Sequence, residues 1–355
     1  MREESRAFLE ALVRAPGPSG YEGPVRQVWT EELRRCADEV RVDVHGNAIA
    51  VCNPGGSPRI MLAGHMDELG FQVLHIDDKG YIYFDTIGGF DLAIVPGRKV
   101  RIHTRKGEVL GVIGKRPIHL MSGEERKKVP EQHELWIDVG ARDAKEARKL
   151  VEVGDPVTYD PSFEMLRRDL AVSRGFDNKM GAYVVAEVLR QVKQHRKKPK
   201  AALYAVATAQ EEVGLRGART STFGIDPLVG IAVDVTFATD HPGMDKRKAG
   251  EVNIGKGPVI NRGANVNPVV FERLVSAARR EKIPYQVCAE PGGTGTDANA
   301  IQVSRAGVAA GLVSVPLRYM HTPVELLSLK DLDHTVRLLT AFVLAVDVDS
   351  SYVPQ

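Results

Sequence analysis

The spacing of apolar positions changes several times along the chain, and each change marks a boundary. Residues 3–14 and about 21–36 carry apolar side chains at helical spacing, separated by the punctuated stretch Pro16-Gly17-Pro18-Ser19-Gly20. VRVDV and NAIAVC then alternate as strands do. RIMLAGHMDE follows, a short apolar run ending on Gly64-His65, the form of a buried strand that delivers a polar residue at its carboxyl end. From about residue 70 to 162 the texture differs: short alternating segments such as FQVLHI, YIYFDTI, RKVRIHT and HELWIDVG are divided by turn signals such as Asp78-Lys79-Gly80. Only DAKEARKLV reads as a helix there. After Pro161 apolar strands alternate with helices again: AALYAVATA, LVGIAVDV, PYQVCA and VAAGLVSV against KMGAYVVAEVLRQVKQ, PVVFERLVSAARREK, DANAIQVS and LKDLDHTVRLLTAFVLAV. Apolar strands bracketed by helices predict a sheet covered on both faces. The pattern predicts an α/β domain made of two chain segments, 1–69 and 163–355, interrupted by a β-rich insert over 70–162.

Composition narrows the function classes. The chain has 355 residues, beyond the roughly 250–300 at which a single core stops growing, in keeping with one large and one small domain. Lys and Arg number 48 against 46 Asp and Glu, so a net charge of +2 leaves no electrostatic footprint for nucleic acid or an anionic membrane. No run approaches the ~20 apolar residues of a membrane span, and MREESRAFLEALVRA lacks the apolar core of a signal peptide. The three cysteines, Cys36, Cys52 and Cys288, show no C-x-x-C spacing and indicate neither a disulfide framework nor a thiolate zinc site. The expectation is a soluble cytoplasmic protein, and any metal site must be built from His, Asp and Glu.

In open α/β sheets the ligand crevice lies beyond the carboxyl ends of the strands. Five places there hold metal-competent side chains: His65 with Asp67, Asp177, Glu211-Glu212, Asp234, and His321. Each has a plain structural reading by itself. Asp177 could be a helix N-cap, Glu211-Glu212 a polar loop, His65 or His321 a hydrogen-bonded structural histidine, and Asp234 a buried hydrogen-bonding aspartate. Their shared placement at one end of the sheet is what argues for chemistry. Two histidines and three carboxylates suit zinc, cobalt or manganese, and a pair of such ions needs one carboxylate to bridge them. Consecutive glutamates offer one ligand and one proton shuttle at the same edge. That is the composition of a metal-assisted amide hydrolase.

The same residues carry a family resemblance. GHMDE, GFDNKMG, AQEEVGLRGA, VDVT, GGTGTDAN and RYMHTP, in this order through nearly the whole chain, resemble the TET-type aminopeptidases, the co-catalytic metallopeptidases of family forty-two that include glutamyl and leucyl aminopeptidases. The resemblance implies that Asp177 bridges two metals, that His65 and Asp234 complete one site and that Glu212 and His321 complete the other. It implies Glu211 as general base and Asp67 as the partner that orients His65. The implied cofactors are two divalent ions per subunit, zinc or cobalt, with manganese as a third option. The implied fold is a three-layer α/β/α zinc-peptidase domain with a small inserted PDZ-like β-barrel used for dimerisation, dimers building a tetrahedral dodecamer. The implied substrates are peptides with a free N-terminus. A same-clan deacylase or carboxypeptidase would use the same metals on a different substrate.

One competing motif is Gly293-x-Gly295-x-x-Ala298, which follows a strand and opens a helix as a dinucleotide fingerprint does. No acidic residue ends the next strand, where Leu317-Arg318 stands, so it would describe an NADP-dependent oxidoreductase. Arg216 and Arg318 lie close to the metal motifs; either could favour an acidic N-terminal side chain or close a structural salt bridge. The other histidines, from His45 to His334, are expected to be structural or exposed.

Overall fold

The computed structural model describes residues 1–354. Helices α1 (Glu3–Arg14) and α2 (Gly23–Leu33) precede strands β1 (Glu39–Val42), β2 (Ala48–Cys52) and β3 (Arg59–His65). Helix α2 is shorter than its apolar period predicts. Pro24 lies in its first turn, where a missing N–H costs nothing, and the chain leaves the helix at Arg34 so that the Asp38 N–H reaches the Val51 carbonyl.

The β-rich stretch closes on itself. Strands β4 (Gly70–Ile76), β5 (Ile82–Ile87), β6 (Lys99–Thr104), β7 (Gly107–Gly114), β8 (Trp136–Asp138) and β9 (Pro156–Tyr159) form a barrel in the order β4-β5-β8-β7-β6-β9, with α3 (Ala144–Leu150) between β8 and β9. Phe71, Ile82, Val100, Ile102, Ile137 and Val157 fill its interior, a core separate from that of the rest of the chain. HELWIDVG yields less strand than its alternation predicts. A capping box between Glu131 and Glu134 winds Gln132–Glu134 into a 3-10 turn, leaving three residues to pair.

The chain then runs through β10 (Phe163–Met165), β11 (Leu170–Ser173), α4 (Phe176–Gln194), β12 (Ala202–Thr208), α5 (Arg216–Ile225), β13 (Val229–Phe237) and α6 (Lys246–Ala249). It ends with β14 (Val259–Gly263), α7 (Pro268–Arg280), β15 (Gln286–Glu290), α8 (Asp297–Ile301), β16 (Ala309–Leu317), β17 (Glu325–Ser328) and α9 (Leu329–Ala345). The main sheet has the order β1-β2-β12-β3-β13-β16-β14-β15. Its centre, β12-β3-β13-β16, is parallel, whereas β2 joins β12 and β14 joins β16 antiparallel. β10, β11 and β17 make a small second sheet that the apolar pattern did not disclose.

Helices cover both faces of the main sheet. Gly64 of β3 faces α4, while Met61, three residues back and so on the opposite face, meets the Thr222 hydroxyl of α5. The result is a three-layer α/β/α arrangement. Among the described residues no helix is long and apolar enough to cross a membrane.

Candidate metal centre

The four parallel strands end side by side, and register decides what they deliver. His65, the last residue of β3, stands opposite Thr208 of β12, just before Glu211-Glu212; Asp234 of β13 stands opposite Ser314 of β16, ahead of His321. Asp177 arrives from the start of α4. That approach needs a pair of glycines. A Cβ on Gly64 would come within 2.3 Å of the Gly181 backbone, and one on Gly181 would come within 2.5 Å of the Val233 carbonyl. Asp177 is not the cap of its helix: Gly175, in the left-handed region, occupies that position, and Asp177 has non-helical backbone angles.

The side chains meet around Asp177. One carboxylate oxygen lies 3.3 Å from Nε2 of His65 and the other 3.3 Å from Nε2 of His321. Nε2 of His65 is also 3.7 Å from Glu211, and Nε2 of His321 is 3.8 Å from Glu212. Two groups, His65-Glu211-Asp234 and His65-Asp177-Glu212, each offer one donor atom per residue with all three atoms within 4.8 Å of one another. The structure therefore brings all six of these predicted residues into one cleft, together with Asp67 behind them.

Asp67 does more than face a histidine. Its carboxylate lies 3.4 Å from Nδ1 of His65, accepts a 2.6 Å hydrogen bond from the Ser19 hydroxyl, and accepts the backbone N–H groups of Glu211 (3.0 Å) and Glu212 (3.2 Å). A single buried carboxylate thus fixes three of the groups in front of it. Two supports were not legible in the sequence. Buried Glu325 accepts the backbone N–H of Asp177 and of His321, each at 3.0 Å, and the Gly89 carbonyl from the barrel lies 3.1 Å from Nδ1 of His321. Glu325 follows His321 by four residues, but nothing in a glutamate at that spacing marks it as buried. Behind the cleft, Glu68 pairs with both Arg174 and Lys179, the latter at 2.6 Å, in a wholly buried triad.

The electrostatics calls for a cation. Burial pushes the Glu211 carboxyl up to about 10, against the pull of His65 and with further push from Asp234. Burial likewise raises Glu212 to about 8, helped by Asp177, and Asp234 to about 8. For Asp177 burial acts in the same direction, but the hydrogen bonds from His321 and His65 override it and hold the carboxyl low. The hydrogen bond to Asp177 lifts His321 to about 9. One oxygen of Glu212 is buried without any hydrogen-bond partner among the described residues. Crowded, buried carboxylates with an orphaned oxygen and two imidazoles form a donor set that fits divalent zinc, cobalt or manganese.

These groups line a cleft of about 400 Å³, closed on its other sides by Val235, Phe237, Glu290, the 293–296 loop, Leu312 and Met320. Neither arginine considered from the sequence lines it. Arg318 is paired with Asp240 at 2.8 Å, and Arg216 donates to the Gln210 side chain at 3.0 Å. The glycine fingerprint also finds no dinucleotide fold. Its strand, β15, runs parallel to β14, while β16, the strand after α8, runs antiparallel to β14 and is not a neighbour of β15. A dinucleotide site needs a parallel strand-helix-strand unit there. α8 is shorter than predicted and ends at Ile301. Its Asp297 accepts a hydrogen bond from Thr208 and leaves the cap position to Thr296.

Known proteins share the sequence and the fold over nearly the whole chain. Residues 46–338 match the family model described as M42 glutamyl aminopeptidase. The lysyl aminopeptidase of Pyrococcus furiosus is 39% identical over 95% of this chain and 96% of that protein. Among solved structures, the TET aminopeptidase of a marine sediment archaeon of the Thaumarchaeota superposes with a TM-score of 0.93 at 36% identity, covering 98% of each chain. The Pyrococcus horikoshii TET1 peptidase, described as assembling into a tetrahedron or a large octahedral shell, gives 0.85 at 32% identity over 96% of this chain and 100% of its own.

Proposed function

The chain belongs to the M42 family of metallopeptidases, with the lysyl aminopeptidase of Pyrococcus furiosus among its relatives, and we propose that it removes N-terminal residues from peptides with two divalent ions and Glu211 as general base. The observation that carries the dinuclear reading is the division of the Asp177 carboxylate, one oxygen toward His65 and the other toward His321. His65 and Asp234 would hold one ion, Glu212 and His321 the other, and Asp177 both. Bound there, zinc or cobalt, or else manganese, would lower the pKa of a water and polarise the scissile carbonyl.

The chain's own residues do the rest. Asp67 keeps the His65 ring and the backbone of Glu211-Glu212 in place. Glu211, buried and short of hydrogen-bond donors, takes a proton from the attacking water as the new C–O bond forms. It returns that proton to the leaving nitrogen as the C–N bond breaks, giving a free amino acid and a shortened peptide. A carboxypeptidase or a deacylase selecting a substrate carboxylate would need a free cation beside the centre. Among the described residues no Lys or Arg lines the cleft, and Arg174, which lines the adjoining pocket by Asp177, Glu212 and His321, is already paired with buried Glu68. This favours the aminopeptidase reading.

Catalysis is assigned to 1–69 and 163–355, and dimerisation to the 70–162 barrel, whose outer face exposes Leu74, Leu110 and Val112. Dimers joined in this way are proposed to build a tetrahedral dodecamer; a tetrahedron is one of the two shapes named for the Pyrococcus horikoshii relative. Cys36, Cys52 and Cys288 of this chain are free thiols, as a reducing compartment keeps them, and the cytoplasm is the proposed location. The test is a panel of aminoacyl chromogenic amides on metal-stripped protein with Zn²⁺, Co²⁺ or Mn²⁺ added back. Hydrolysis restored by metal supports the reading, and no hydrolysis with any metal overturns it.

A further inference from the structure

One charged group in the cleft takes no part in the machinery described above. Glu290, the last residue of β15, lines the same 400 Å³ cleft as the metal-competent residues, and every other ionisable residue of that lining belongs to the proposed ligands and base. Its carboxylate has no salt bridge and no side-chain hydrogen bond among the described residues, and burial without a cation to offset it raises its carboxyl above the ordinary range. The other polar groups on that wall are engaged. Thr294 and Thr296 hydroxyls share a 2.9 Å hydrogen bond, and the Ser314 hydroxyl accepts from Asn261.

The walls explain what such a group is for. β15 lies three strands from β13, about 14 Å across the sheet. Because β14 and β15 run against β16, the register carries Glu290 further along it, level with Ala310 and not with Ser314, so Glu290 and Asp234 stand at opposite ends of the cleft. The surface includes Val235, Phe237, Leu312 and Met320. A passage with apolar side chains along it and an unpaired carboxylate at the end away from the metal-competent residues matches a side chain with a methylene stem and a cationic tip. It opposes an acidic side chain twice over, through repulsion and through the lack of a lysine or arginine to receive it.

We propose that Glu290 is a specificity-determining residue that selects substrates with lysine or arginine at the N-terminus. This rests on the aminopeptidase reading, which it deepens by naming the substrate class. The norleucyl side chain keeps the lysyl stem without the charge, so the ratio between the two isolates the contribution of Glu290.

The test has two readouts. Lysyl, arginyl, norleucyl and glutamyl p-nitroanilides are assayed on the metal-loaded enzyme and on Glu290→Gln and Glu290→Asp. Binding of L-lysinamide and L-norleucinamide is measured by calorimetry on the same proteins. Wild type is expected to favour lysyl over norleucyl by about tenfold or more in kcat/KM, with glutamyl poorest. Glu290→Gln is expected to bring that ratio to within about twofold and to remove the lysinamide preference; Glu290→Asp is expected to retain part of both. An unchanged ratio in Glu290→Gln, or a wild type that prefers glutamyl, overturns the assignment while leaving the aminopeptidase reading intact. Should no amide be hydrolysed with any metal, the aminopeptidase reading falls, and the calorimetric difference alone decides whether Glu290 recognises a cation.

Discussion

The carbonyl oxygen of Gly89, on the barrel loop after β5, lies 3.1 Å from Nδ1 of His321, a residue 232 positions later in the chain. The barrel therefore reaches into the cleft of the larger domain and orients one of its two imidazoles. Ring orientation at a metal-competent histidine is set by the hydrogen bond that its other nitrogen makes.

Disturbing that loop should be felt at His321. Gly88 has φ +84°, which a β-branched side chain adopts only under strain, and a Cβ there would also displace the tip of the Leu69 side chain, 2.3 Å away, so Gly88→Val is expected to shift the loop. We expect metal affinity at the His321 side to fall by about 10–100-fold. Chelator competition on the purified protein reads this; affinity equal to wild type would mean that the Gly89 contact orients nothing.

Glu211 and Glu212 are adjacent and similarly buried, yet their assigned roles differ. Glu211→Gln should retain metal near the wild-type content while turnover falls by about 10²–10⁴-fold. Glu212→Gln should lose metal as well as turnover. Metal analysis after gel filtration, set beside single-turnover rates, separates the two. Normal turnover in Glu211→Gln would remove it from the base role.

The buried triad predicts an asymmetric response. Glu68 is the single anion between Arg174 and Lys179. Glu68→Gln would leave two buried cations facing each other and should cost about 3–5 kcal/mol. Lys179→Met leaves the Glu68–Arg174 pair intact and should cost less, since burial already pulls the Lys179 amine down to about 8. Denaturant unfolding of metal-free protein compares them, and equal losses would contradict the charge argument.

Stability of the metal-free protein should fall as pH rises. Glu212 and Asp234 are raised to about 8 and His321 to about 9, above unfolded values of about 4 for carboxylates and about 6.5 for histidine. Groups with raised folded values bind more protons folded than unfolded, so their stabilisation is full only below the unfolded values and falls from about pH 4 to 8 for the two carboxylates and from about 6.5 to 9 for His321. Asp177, held low, acts oppositely, but only in acid. Metal competes for the protons of these groups, so metal-loaded protein should show a flatter profile over pH 5–9. Thermal melts with EDTA and with added Zn²⁺ give both curves; a metal-free Tm that rises between pH 6 and 9 would refute the sign.

Much of the fold was legible because the relevant signals are local. Runs such as VAAGLVSV and the period of α4 and α9 reflect burial on the scale of a few residues. The candidate residues were legible for a related reason: His65, Glu211, Glu212 and His321 follow the end of an apolar run, Asp234 interrupts one, Asp177 opens a helix, and all six side chains are of metal-binding type. Element ends were less legible. α2 and α8 both stop before their apolar period does; after α2 the chain turns so that the Asp38 N–H reaches the Val51 carbonyl, and after α8 it closes local turns such as Ser304 N–H to the Ile301 carbonyl.

The sequence by itself determined which segments are strands and helices, that a β-rich stretch interrupts an α/β chain, and which side chains could serve a metal. Period, residue type and order are properties of neighbours along the chain. Only the tertiary structure decided that the two oxygens of Asp177 face different histidines and that Glu325 and Gly89 support them. It alone decided that Arg318 is paired with Asp240, that the glycine fingerprint joins strands of opposite direction, and that Glu290 lines the cleft without a salt bridge among the described residues. Each depends on distances between residues far apart in sequence, fixed by sheet order, register and a Gly64–Gly181 approach that no local pattern encodes.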